Sequence, residues 1–134
     1  MDYKIVFSDI DGTVLTSDHH VLPRTAAAIR EITAKGVPFA LVSARMPEAI
    51  APVVEEIGVR TAVIGYNGAL VITPDGTEIH DERMTRAHTE AVLHRVTAQY
   101  PAASMNYYAG HTWYVRNRDD PEVRREEGIT TVTS

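Results

Sequence analysis

Two aspartates one residue apart lie near the start of this 134-residue chain, within the segment KIVFSDIDGTVLT at residues 4–16. Asp9 follows an apolar run directly, and Asp11 precedes Gly12 and Thr13. Because neighbouring carboxylates repel each other, such a pair requires a compensating cation or a shifted pKa. A hard ion such as Mg²⁺ meets that need, since it is usually held by one or two carboxylates, water and substrate phosphate. A carboxylate can also attack phosphorus, while a second acid transfers protons.

Two later polar segments also follow apolar runs. Ser43-Ala44-Arg45 comes after VPFALV, and Asn67 comes after TAVIGY. Ser43 and Arg45 either bind a phosphate group or stabilise the local backbone. Asn67 precedes a glycine, and Asn-Gly is also an ordinary turn signal. The Asp-x-Asp pair has a similar alternative, an acidic turn that begins a loop, but the longer pattern Asp-x-Asp-Gly-Thr after an apolar strand is far rarer by chance.

The elements that position these residues alternate between strand and helix. Apolar segments at 3–9, 37–44 and 61–69 predict three strands, and helices beginning at Pro23 and Pro47 separate them. Strand–helix alternation with short links is typical of a parallel α/β sheet. The strands are apolar throughout, which predicts a sheet covered on both faces. Loops after parallel strands meet at one edge, so we expect the polar segments to share a crevice there.

The pattern changes after Asn67. It predicts a β-hairpin around Pro74-Asp75-Gly76, a helix over 86–100 and two antiparallel strands turning at Ala109-Gly110. A last helix is predicted from Pro121 to Gly128, and ITTVTS then begins like another strand. We therefore expect residues 1–80 to form one α/β unit and residues 81–134 to begin a different unit of helix and antiparallel strands.

Composition excludes several classes of function. The net charge is −5, from 13 basic and 18 acidic residues, which argues against binding to nucleic acid or to an acidic membrane surface. The chain has no cysteine, so disulfides and thiolate chemistry are excluded. No signal peptide and no apolar run of about 18 residues is present, and a cytoplasmic location is expected.

The segment DIDGT after KIVFS resembles the first signature of the haloacid-dehalogenase-like (HAD) phosphohydrolase superfamily. Ser43-Ala44-Arg45 resembles its Thr-Gly-Arg element, with alanine in place of glycine, and Asn67-Gly68-Ala69 resembles the Asn-Gly-Ala of the Cof-type branch. The resemblance implies a Mg²⁺-dependent phosphatase with a Rossmann-like core and an α/β cap domain.

The same resemblance assigns roles to individual residues. Asp9 would be the nucleophile that forms an aspartyl-phosphate, and Asp11 would be the general acid and base. Mg²⁺ would be bound by the Asp9 carboxylate and the Asp11 backbone carbonyl. The implied phosphate-binding and substrate-binding positions are Ile10, Asp11, Ser43, Ala44, Arg45 and Asn67. The implied substrate is a small phosphate ester similar to a sugar phosphate.

Two parts of the family's site have no counterpart in the sequence. The family places a lysine and a Gly-Asp-x-x-Asn-Asp-like segment after the cap, but the chain's only lysines, Lys4 and Lys35, do not suit that role. We therefore expect a chain truncated within the cap, with residues 1–80 as the first part of the core and 81–134 as the first part of the cap. A catalytically incomplete fragment and a sugar phosphotransferase or mutase are the alternatives. The first strand would have a bare edge available for pairing with a partner.

Overall fold

The computed structural model of the chain describes residues 4–130 and 132–134. The chain divides into two compact units, Met1–Asp81 and Glu82–Ser134. The elements of the first unit, in chain order, are β1 (Val6–Asp9), α1 (Pro23–Ala34), β2 (Phe39–Val42), α2 (Pro47–Ile57), β3 (Ala62–Gly65), a single helical turn (Tyr66–Gly68), β4 (Leu70–Ile72) and β5 (Glu78–Asp81).

These strands form one sheet in the order β1-β2-β3-β4-β5. The pairs β1-β2 and β2-β3 are parallel, and β4 and β5 extend the sheet as an antiparallel hairpin. The predicted α/β class with a three-stranded parallel portion is confirmed. Strand β1 lies at one end of this order, so its outer edge carries no neighbouring strand among the described residues.

Both helices begin and end at the positions that proline and glycine indicate. Pro23 and Pro47 occupy the first turns of α1 and α2, where a missing backbone N–H removes no helical hydrogen bond. Gly58 ends α2 in the left-handed conformation, with φ of 77°.

The core of the first unit lies on one face of its sheet. Apolar side chains from both helices, from the loop after β1 and from β2 form one buried cluster that includes Ile10, Ile29, Leu41 and Ile50. The prediction of a sheet covered on both faces is wrong at β1, because Phe7 is 58% exposed and Ile5 42% exposed. Alternate strand residues face opposite sides, so Val6 packs against the cluster while Phe7 faces away from it.

The second unit contains α3 (Arg86–Gln99), the antiparallel pair β6 (Asn106–Ala109) and β7 (Thr112–Val115), and α4 (Pro121–Thr130). The predicted end of the last helix at Gly128 is wrong, because Gly128 does not adopt a positive φ and α4 continues to Thr130. The predicted final strand is therefore wrong at residues 129 and 130, and no strand is assigned at 132–134. Thr131 lies outside the described residues. No helix in the described part of the chain is both long and apolar enough to cross a membrane.

Candidate active site

The three loops that follow the parallel strands meet at the carboxyl edge of the sheet. Asp9 is the last residue of β1, and the strand register aligns it with Val42 of β2, which in turn aligns with Ile64 of β3. The loop after β2 begins at Ser43, and its N–H donates to the carbonyl of Ile64 at 2.9 Å. The polar segments that the sequence singles out therefore leave the sheet side by side.

The loop after β1 is anchored by Ile10, which separates the two aspartates. The Ile10 side chain is completely buried, and its carbonyl accepts hydrogen bonds from Thr13, Val14 and Leu15 at 3.3, 3.0 and 2.9 Å. Val14 and Leu15 are themselves buried. A buried residue that holds the tight turn leaves Asp9 and Asp11 exposed on either side of it. Any contribution of Ile10 to ligand binding must therefore come from its backbone.

Arg45 compensates the charge of Asp11. Its Nε and Nη2 atoms donate to Oδ2 and Oδ1 of Asp11 at 3.1 and 2.6 Å, which is a bidentate ion pair. The Arg45 side chain is only 14% exposed, so this pair is better shielded from solvent than an ordinary surface pair. The compensating cation that the aspartate pair requires is thus supplied, for Asp11, by the protein itself.

The Asp9 carboxylate differs from that of Asp11. Among the described residues, none donates a hydrogen bond to it or forms an ion pair with it, since the Ser8 hydroxyl donates only to the Asp9 backbone carbonyl. An exposed carboxylate without a protein partner is free to contact a ligand.

Ser43 is buried, with 5% of its surface exposed. Its hydroxyl oxygen accepts a hydrogen bond from the Arg45 backbone N–H at 3.1 Å, and its carbonyl accepts one from the Asn67 N–H at 3.0 Å. Ser43 therefore shapes its own loop and ties it to the loop after β3. A hydroxyl that accepts one hydrogen bond can still donate another, so this structural role is compatible with a contact to phosphate. Ala44 lies exposed in the same loop.

The loop after β3 contains two consecutive non-glycine residues in the left-handed region. Tyr66 has φ of 52° and Asn67 has φ of 56°. Asparagine tolerates this conformation well, whereas an aromatic residue rarely adopts it. The Tyr66 N–H donates to the Arg45 carbonyl at 3.1 Å, and this bond helps to hold the unusual turn.

Gly65 permits the close approach of these two loops. A Cβ at this position would lie 3.1 Å from the Arg45 carbonyl oxygen and 3.6 Å from Pro47. The sequence patterns predicted no role for Gly65 or Tyr66. A glycine at the end of a buried strand was the available signal, since such a glycine often marks a close backbone approach.

The donor atoms at this edge match a magnesium ion in type. The Asp9 carboxylate and the Asp11 backbone carbonyl are both hard oxygen donors, which is the class of ligand that Mg²⁺ takes. No cluster of three or more Asp, Glu or His side chains suited to a metal is found in residues 4–130 and 132–134. A magnesium ion usually takes one or two carboxylates and completes its shell with water and phosphate oxygens, so two protein oxygens of this type are compatible with such an ion.

Comparison with known proteins gives a consistent result. Residues 6–132 match the sequence model of a family described as haloacid dehalogenase-like hydrolase. A putative phosphatase of Haemophilus influenzae is 32% identical over 132 residues, which cover 98% of this chain and 50% of that protein. An HMP-PP phosphatase of Serratia proteamaculans is 27% identical over 83% of this chain and 40% of its own length.

A solved structure has the same fold. A haloacid dehalogenase-like hydrolase from B. subtilis superimposes with a TM-score of 0.82 at 24% identity, over 92% of this chain and 42% of that chain. The present chain spans about half the length, or less, of the curated relatives that it matches.

Proposed function

This chain belongs to the haloacid dehalogenase-like hydrolase family, and on that premise we propose that it carries the nucleophile half of a magnesium-dependent phosphomonoesterase site. The observation that supports this most strongly is the contrast between the two aspartates at the carboxyl edge. Asp9 is exposed without a protein partner, while Asp11 is held by Arg45 at both oxygens. The Asp9 carboxylate is therefore available to a ligand, whereas the Asp11 carboxylate is oriented by the protein.

Asp9 is the proposed nucleophile. One of its carboxylate oxygens attacks the phosphorus atom of the ester, a new Asp9–phosphorus bond forms, and the bond from phosphorus to the leaving oxygen breaks. Water then attacks the aspartyl-phosphate, which releases inorganic phosphate and restores the carboxylate. The exposed position of Asp9 at the end of β1 gives a substrate direct access to it.

Asp11 is the proposed proton donor and acceptor. It gives a proton to the leaving oxygen in the first step and takes one from the attacking water in the second. When the Asp11 carboxyl group carries a proton, it can no longer accept hydrogen bonds from Arg45 at both of its oxygens. The two-pronged contact requires the ionised carboxylate. We therefore infer that the Arg45 pair loosens on at least one oxygen when substrate binds, and that Arg45 orients Asp11 between turnovers.

The remaining site residues are proposed to bind phosphate and to hold the metal. The Ser43 hydroxyl and the backbone N–H groups of Ile10, Asp11 and Ala44 would donate to phosphate oxygens, with Arg45 available as a cation. Asn67 would line the mouth of the site. The Asp9 carboxylate and the Asp11 carbonyl would hold Mg²⁺, which when bound offsets negative charge on the phosphate oxygens.

The proposed substrate is a small phosphorylated metabolite similar to a sugar phosphate. Its support is that the relatives named above are phosphatases, one of them an HMP-PP phosphatase, and its similarity to a sugar phosphate is what the sequence resemblance implies. We further propose that residues 1–80 are the first part of the catalytic core, that residues 81–134 begin a cap that selects the substrate, and that the open edge of β1 accepts another strand. Because a Lys after the cap is expected to complete the site, we expect the 134-residue chain alone to turn over little substrate.

The test uses the product of the intact gene and a generic aryl phosphate. We expect Asp9→Asn to reduce kcat by roughly a thousandfold or more, because an amide is a very poor nucleophile toward phosphorus. Asp18→Asn is the matched control, since Asp18 is an exposed acid in the same loop, and it should leave turnover unchanged. Substantial activity in the Asp9→Asn variant would contradict the assignment.

A further inference from the structure

Gly65, the last residue of β3, lacks a side chain for a spatial reason. Its φ of −91° and ψ of 167° are extended values that any residue adopts, so its backbone conformation does not require glycine. The residue is buried, and a Cβ added to it would lie 3.1 Å from the Arg45 carbonyl oxygen and 3.6 Å from Cδ of Pro47. Glycine is therefore needed here because the segment between β2 and α2 packs directly against the end of β3.

Three backbone hydrogen bonds hold these two segments together. The Ser43 N–H donates to the Ile64 carbonyl at 2.9 Å, the Tyr66 N–H donates to the Arg45 carbonyl at 3.1 Å, and the Asn67 N–H donates to the Ser43 carbonyl at 3.0 Å. On the β3 side, these groups lie immediately before and after its terminal glycine. The end of β3 therefore sets the path of the backbone between β2 and α2.

Arg45 links this backbone contact to the candidate site. The residue whose carbonyl meets Gly65 and Tyr66 also donates from Nε and Nη2 to the two carboxylate oxygens of Asp11, at 3.1 and 2.6 Å. A Cβ on Gly65 would displace its neighbour by a few tenths of an ångström. Because hydrogen bonds weaken when their distances and angles change, a displaced Arg45 backbone alters how its side chain holds Asp11.

We propose that Gly65 is a positioning residue, which directs Asp11 toward the leaving oxygen of the substrate through the backbone and the guanidinium of Arg45. This inference rests on the proposed function, in which Asp11 gives a proton to that oxygen. Gly65 acts only through Arg45, because the space that it leaves lets both donors of the arginine reach Asp11.

The test compares two substrates of the intact gene product that differ in whether the leaving group needs a proton. 4-Nitrophenyl phosphate releases nitrophenolate without one, whereas the leaving oxygen of glucose 6-phosphate must take one as its bond to phosphorus breaks. The value of kcat/KM reports the steps through loss of the leaving group. Gly65→Ala should therefore lower kcat/KM roughly tenfold for glucose 6-phosphate and less than about twofold for the nitrophenyl ester.

The ratio of the two kcat/KM values separates positioning from a loss of folded protein. Both substrates are measured on one preparation, so a smaller folded fraction lowers both values equally and leaves their ratio unchanged. Gly128→Ala is the matched control, because Gly128 is exposed and an added Cβ there meets nothing within 4 Å. This variant should change neither value.

A second variant removes the hydrogen bond between Tyr66 and Arg45 without adding volume. Replacement of Tyr66 by its α-hydroxy acid, through nonsense suppression, turns the backbone amide into an ester, which deletes the N–H and keeps the side chain. The ratio of the two kcat/KM values should fall roughly threefold. This variant decides the question if Gly65→Ala does not fold.

A double-mutant cycle tests whether Gly65 acts through Arg45. In an Arg45→Lys background, where the two-pronged contact is already lost, Gly65→Ala should change the ratio little further. Equal losses for both substrates, an unchanged ratio in the ester variant, or a full additional loss in the Arg45→Lys background would overturn the proposal. Unmodified protein that fails to hydrolyse glucose 6-phosphate would instead contradict the proposed function, and the inference with it.

Discussion

The two units of the chain differ in how completely they bury their apolar residues. In the first unit, Ile10, Leu41, Ile50, Ile57 and Leu70 have almost no exposed surface. In the second unit, Val123 and Trp113 are buried, but α3 contains no buried residue at all. Large apolar side chains of the second unit, Tyr100 and Tyr114 among them, remain mostly exposed.

This difference explains why the candidate site is built where it is. Ile10 lies between Asp9 and Asp11, and Leu41 lies two residues before Ser43, so the polar groups of the site are attached directly to fully buried neighbours. Side chains that must hold a precise geometry need such rigid support. The second unit has little buried area of its own in the described residues, and segments of that kind open more readily.

The largest expected contrast concerns core truncation in the two units. Ile50→Ala should lower the free energy of unfolding by about 2–5 kcal/mol, because it leaves a cavity in a tightly packed cluster. Leu93→Ala in α3, where the side chain is only half-buried, should cost about 1 kcal/mol or less. Urea denaturation of both variants measures the two values, and equal losses would show that the units do not differ in this way.

The next prediction compares a residue of the candidate site with an exposed residue of α1. Arg45→Lys keeps the positive charge but cannot reproduce the two-pronged contact with Asp11, so turnover by the intact gene product should fall about tenfold. Stability should change little. Arg24→Lys, at an exposed position of α1, is the control and should leave kcat unaltered. If both variants keep full activity, the Asp11–Arg45 pair does not orient the proton-transfer group.

A smaller effect is expected from Trp113, a buried aromatic side chain of the second unit. Trp113 donates from Nε1 to Oδ1 of Asn106 at 3.0 Å, and its ring stacks against Tyr108. Trp113→Phe keeps an aromatic ring but loses this hydrogen bond and part of the packing, which should cost about 1 kcal/mol. A double-mutant cycle with Asn106→Ala isolates the hydrogen bond. A coupling energy of zero would show that this hydrogen bond does not contribute to stability.

The smallest effect concerns the exposed hairpin turn of the first unit. The pKa of Asp75 is lowered by hydrogen bonds from Thr73 and Thr77, so its contribution to stability is present above the unfolded-state value of about 3.9 and is lost as pH falls through the folded-state value. Asp75→Asn should therefore lower the urea midpoint slightly at pH 7 and progressively less in acid. A difference in urea midpoint between the two proteins that grows on acidification would contradict a lowered pKa of Asp75.

Local sequence signals were sufficient for the boundaries of α1 and α2 and for the position of Asp9 at the end of β1. Pro23, Pro47 and Gly58 mark where α1 and α2 begin and end, because these residue types restrict the backbone by themselves. The carboxyl-edge placement of Asp9 follows from a strand that ends at an acid. By contrast, Gly128 was a misleading signal, since a glycine ends a helix only when the chain turns into the left-handed region there.

Contacts between distant segments were beyond what sequence patterns could give. The ion pair between Asp11 and Arg45 joins residues 34 positions apart, and the consecutive left-handed residues Tyr66 and Asn67 depend on bonds to the loop after β2. The exposure of Phe7 was missed for a related reason. An apolar strand predicts burial, but which face of a sheet has a covering layer depends on the path of the whole chain.

Asp9 is proposed to form a covalent bond to phosphorus during turnover. Rapid-quench mass spectrometry of the intact gene product mixed with 4-nitrophenyl phosphate tests it directly in an Asp11→Asn variant, because nitrophenolate leaves without a proton from Asp11 whereas the hydrolysis step lacks its base. We expect a phosphoryl group on the peptide that contains Asp9, and no adduct when Asp9→Asn is added. A phosphoryl group on another residue, or turnover by the unmodified protein with no adduct in either variant, would contradict it.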